Sequence, residues 1–243
     1  SSKSILQWLT GIYVFALLVV FPLYMEKKYL NMGDAKYHFF LGASTLMLGL
    51  LLGFYVQGTL AKNLSKPQGE ERWLNNLSVT DWFVLSFGGV SVLSCLFAHN
   101  YQYAVWGFPG WNMGLVSQII FVLIYFFVSR FYKWSTKTME CAIVVGGIVF
   151  FIAVLQRFDL DIFGLYMNKN SDGIYVKLDD KYVEKFVSTL GQTSWYSSYA
   201  MLILPFGMYW YMAAKKLSSR LLTGVFVALG AASLCTVNSD SAY

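Results

Sequence analysis

Apolar runs of roughly 20 residues, parted by short polar joins, recur along the whole chain, and this is the length an α-helix needs to cross the hydrocarbon core of a bilayer. In lipid the backbone N–H and C=O groups have no water to bond, so such a segment satisfies them internally as a helix. Charged residues make up only 13% of the chain and hydrophobic ones 57%, whereas an average soluble chain carries about 25% charged residues. The pattern predicts an all-α polytopic transmembrane helix bundle of about seven helices. It is expected to form one domain over residues 1–243, with one short extracytoplasmic segment at 157–193.

The expected spans are Ile5–Tyr24, Tyr37–Val56, Trp82–Ala98, Met113–Tyr132, Glu140–Leu155, a sixth from Ser194, and Leu221–Thr236. The net charge of +5 does not point to nucleic acid, because the Lys and Arg residues lie in the joins and form no basic face. They report topology instead. With the N-terminus cytoplasmic, the inner joins hold Lys62, Lys66 and Arg72, then Arg130, Lys133 and Lys137, then Lys215, Lys216 and Arg220, while the join His99–Asn112 on the opposite side has no basic residue. Tyr101, Tyr103, Trp106 and Trp111 place that join at the membrane surface, where amphipathic rings settle. Cys95, Cys141 and Cys235 are far apart in apolar surroundings and read as buried free thiols. Gly49 and Gly53, spaced G-x-x-x-G with Gly42 above them, and the Gly146–Gly147 pair are read as notches for close helix packing.

The longest polar stretch is Gln156–Thr193, in which Gly173–Leu178 alternates like a short strand after an Asn-Ser-Asp-Gly turn and Lys181–Val187 suits a helical turn. Arg157 sits where the fifth helix leaves the membrane. Its guanidinium could hold phosphate oxygens bidentately there or serve as an interfacial anchor. Gln192, Trp195, Tyr196 and Tyr199 fall on one side of the sixth helix, either as a platform for sugar rings and hydroxyls or as an aromatic girdle and packing surface. Pro205 interrupts that helix and is expected to kink it. Gln118 needs a partner inside the bundle, and Asp240 follows the seventh helix on the outer side as either a functional carboxylate or a solvated residue. There is no HExxH, P-loop, GxSxG, paired-cysteine or dinucleotide pattern, so the chain suggests no metal and no cofactor.

The stretch Ser188–Pro205, STLGQTSWYSSYAMLILP, resembles a segment of the O-antigen ligase and polymerase-like membrane proteins that enters a helix. Leu155-Gln156-Arg157-Phe158 with Gly164, the stretch AVWGFPGWNMGL at Ala104–Leu115, and Asn238-Ser239-Asp240-Ser241-Ala242 are similar to further parts of that family. The resemblance implies a bacterial inner-membrane glycosyltransferase. Such an enzyme moves a glycan from an undecaprenyl-diphosphate carrier to a glycan, lipid or protein acceptor on the outer face, without a metal. It implies substrate contacts from Arg157, Gln192 and Asp240, the last standing where the family often has an arginine, and it identifies no catalytic base. The family's outer loop with its arginine and histidine lies further along, so the chain is expected to be the N-terminal part of a longer protein. A transporter or lipid flippase, or a non-catalytic membrane scaffold, are the other readings. A transporter would carry repeated halves and a midplane charge site, which are not evident here.

Overall fold

The computed structural model describes residues 2–26, 32–64, 77–165, 167–169, 175–177 and 188–237. Its helices are α1 (Ser2–Phe15), α2 (Phe21–Leu23), α3 (Met32–Leu64), α4 (Val79–Leu96), α5 (Tyr101–Trp106), α6 (Leu115–Phe131), α7 (Thr136–Arg157), α8 (Thr193–Ala213) and α9 (Leu217–Val237). The one described sheet is an antiparallel hairpin of β1 (Met167–Lys169) and β2 (Tyr175–Lys177), with Met167 opposite Lys177. The architecture is the expected all-α bundle. Among the described residues five helical runs are long and apolar enough to cross a membrane: Ser4–Leu23, Met32–Gln57, Val79–Leu96, Thr136–Arg157 and Leu217–Cys235. Of the other two expected spans, α6 is apolar but has 17 residues, and α8 has 21 with many hydroxyl and aromatic side chains.

The chain divides into two compact units, Ser1–Ala16 with Tyr37–Trp134 and Leu17–Lys36 with Ser135–Tyr243. In the first, α6 packs against α1, α4 and α5. The Tyr13 and Ser44 hydroxyls bond at 2.7 Å and join α1 to α3. Bulky apolar side chains on α4, including Trp82, Phe83, Val90 and Leu93, point outward, as lipid-facing residues do. The α5–α6 join is folded tightly. Gly107 has φ +89°, and a Cβ there would strike the backbone of Asn112. Only glycine fits such a turn without strain.

The G-x-x-x-G reading of α3 is corrected. Gly42, Gly49 and Gly53 lie on an open face, and among the described residues a Cβ at any of them would meet nothing within 4 Å. Spacing places small residues on one helix face, but it does not supply the second helix that would use them.

In the second unit α7 and α9 pack along their lengths, α8 lies against α9, and α2 meets α7. Phe150 is fully buried and its ring lies 5.2 Å from that of Phe226 and 6.1 Å from that of Tyr196. Room for these rings comes from glycine. A Cβ on Gly146 would come within 2.8 Å of Phe226 and one on Gly230 within 2.9 Å of Phe150, while Gly207 lies directly under the Phe226 ring. Gly146 is therefore the packing notch the sequence suggested. In lipid, apolar burial gives helices little reason to associate, so close van der Waals contact of this kind holds the bundle together.

Pro205 is exposed within α8, whose helical run continues past it to Ala213. The first helix behaves differently. Pro22 has no N–H for the carbonyl of Leu18, and the turn just before α2, Ala16–Val20, widens into a π-helix. Of the three cysteines only Cys95 is buried; Cys141 and Cys235 are exposed, contrary to the expectation for all three.

Candidate functional site

Three of the residues singled out by sequence, Arg157, Gln192 and Trp195, lie at one end of the second unit, where α7 stops, α2 stops and α8 begins. α7 terminates at Arg157 because the chain turns sharply there. Asp159 takes a left-handed φ of 55°, and the N–H groups of Phe158 and Leu160 both donate to the Leu155 carbonyl at 3.0 and 3.1 Å. Asp161 then accepts from the N–H of Leu165 at 2.8 Å and closes a second turn ahead of the hairpin.

After the hairpin the chain returns as the turn Ser188–Leu190, the start of the stretch that carries the family resemblance. Its letters turn out to be anchors. The Ser188 N–H donates to Gln156 Oε1 at 2.7 Å, and its hydroxyl donates to the Val149 carbonyl at 2.6 Å. The Thr189 hydroxyl donates to the Pro22 carbonyl at 2.7 Å. Leu190 is buried, and Gly191, at φ +83°, lies against the sulfur of Met32. Ser188 itself has φ 52°, an uncommon conformation for a residue with a Cβ, held here by two hydrogen bonds.

Lys36 completes the junction from the other side. It is only 6% exposed, and its ammonium donates to the carbonyls of Phe21, Pro22 and Tyr24 at 2.9, 3.2 and 3.0 Å. These are the carbonyls that the end of a helix leaves without a partner. Three N–H donors meet three acceptors, so Lys36 is a fastener of α2 to α3 and has no hydrogen to offer a ligand.

Arg157 is exposed at the end of α7, next to the buried Gln156 that holds Ser188. Gln192 is half-buried at the N-cap of α8, where its side chain makes no capping bond, and Trp195 is half-buried in the first turn. These three share the junction end. Tyr196 and Tyr199 do not belong with them: Tyr196 is fully buried, and Tyr199 packs 6.3 Å from Phe150 with its hydroxyl against Gly146. The lower part of the aromatic stripe thus faces α7 and α9, which is the packing alternative. Asp240 lies outside the described residues, as does the expected helical turn at Lys181–Val187. The expected strand within Gly173–Leu178 is present as β2.

Two groups of the structure stand outside the residues that sequence reasoning picks out. Gln156 enters that reasoning only through the resemblance, although a lone amide at the end of an apolar helix signals a buried hydrogen bond. The other is Asp81 in the first unit, a fully buried carboxylate at the start of α4. It accepts from Arg130 at 2.7 Å, from the Ser78 N–H at 2.8 Å and from the Tyr125 hydroxyl at 3.0 Å. Ser78 and Asp81 form a capping box, visible as S-x-x-D ahead of an apolar run. With its oxygens occupied, Asp81 ties α4 to α6 and does not offer a base.

The comparisons add no relative: no family model, curated protein or solved structure matches this chain. What the fold and the junction define is the class, an all-α membrane-spanning bundle in which the turn Ser188–Gly191 ahead of α8 is fastened to the ends of α2 and α7.

Proposed function

We propose that the chain is part of a bacterial inner-membrane glycan ligase or polymerase, acting on an undecaprenyl-diphosphate donor at the outer face of the membrane. The observation that carries this reading is the anchored Ser188–Gly191 turn. It holds the start of α8 beside the end of α7, so that exposed Arg157 and half-buried Gln192 and Trp195 occur together at one end of a membrane-spanning unit. Arg157 would take the diphosphate, since a guanidinium fork matches phosphate oxygens and offsets the charge that grows on the leaving group. Gln192 would bond sugar hydroxyls and Trp195 would stack on the apolar face of a sugar ring. The general base that accepts the acceptor's hydroxyl proton is not among these residues.

The test is turnover of a lipid-diphosphate glycan by membranes holding the full-length protein. Arg157→Ala is expected to slow consumption by about a hundredfold, the loss typical of one preorganised charge donor, with unchanged membrane insertion. Wild-type turnover in that variant removes Arg157 from the mechanism. The carboxamide lost in Gln192→Ala is expected to matter less, and its loss to show in the glycan concentration needed for half-maximal rate.

A further inference from the structure

We draw no further inference here: the strongest candidate, the pair of buried hydroxyls of Tyr196 and Tyr199 in the core between α7, α8 and α9, carries nothing, because the Ser233 hydroxyl lies beside that of Tyr196 and that of Tyr199 is packed against Gly146, so neither points to a ligand.

Discussion

Lys36→Met is expected to lower the stability of the second unit by about 2 kcal/mol, because three charge-assisted bonds of roughly 1.5–3 kcal/mol each outweigh the several kcal/mol spent on taking an ammonium out of water. Methionine keeps the length and the apolar stem, so the loss reports the carbonyl contacts rather than a cavity. Without the ammonium, the carbonyls of Phe21, Pro22 and Tyr24 lose a shared donor in a site where water has little access. The informative control is Lys36→Arg. A planar guanidinium cannot converge on three carbonyls as an ammonium does, so arginine is expected to recover only part of the stability. If charge near the membrane edge were all that mattered, arginine would behave as wild type. Thermal unfolding in nanodiscs, compared across the three proteins, decides between these outcomes.

Gly207→Leu is expected to disrupt the second unit more severely than Lys36→Met. The Cβ would fall on the Phe226 ring, and the rest of the side chain has no space between α8 and α9. Even Gly207→Ala is expected to cost about 1–3 kcal/mol, the usual range for forcing an extra carbon into a packed interior. Lipid does not soften this penalty, since packing contacts are the main force between helices in a bilayer. Phe226→Leu alone should also destabilise, by removing contacts with Phe150 and Gly146. Combined, the two changes relieve each other, so the double variant Gly207→Ala/Phe226→Leu should be more stable than the sum of its parts by about 1 kcal/mol. Strict additivity would mean that the ring and the glycine are not in contact in the folded protein.

The helices are legible in the sequence because their signal is local. A run of apolar residues long enough to cross a bilayer, bounded by polar joins, specifies α7 or α9 whatever surrounds it. Their partners are not legible. Gly49 and Gly53 carry the recognised spacing and face open space, whereas Gly207 and Gly230 carry no such pattern and sit under the Phe226 and Phe150 rings. The 3.6-residue period puts the stripe from Gln192 to Tyr199 on one side of α8. Whether that side meets a ligand or a neighbouring helix depends on α7 and α9, which no local pattern encodes. Distance along the chain hides the junction in the same way: Thr189 bonds to a carbonyl 167 residues earlier, and Ser188 to one 39 residues earlier. Asp81 is the mixed case. Its capping box can be read from Ser78, but its pairing with Arg130 on α6 cannot.

The transfer reading requires the Arg157 end of α7 to open to the outside and the Lys137 end to the cytoplasm, and cysteine labelling tests this most directly. In a chain with Cys95, Cys141 and Cys235 replaced by serine, one cysteine is introduced either at exposed Leu160 or at exposed Lys137. A membrane-impermeant maleimide added to intact spheroplasts is expected to label Leu160→Cys at once and Lys137→Cys only after the membrane is opened. The reverse pattern would put Arg157 and Gln192 on the cytoplasmic face, out of reach of any extracytoplasmic glycan, and would contradict the account.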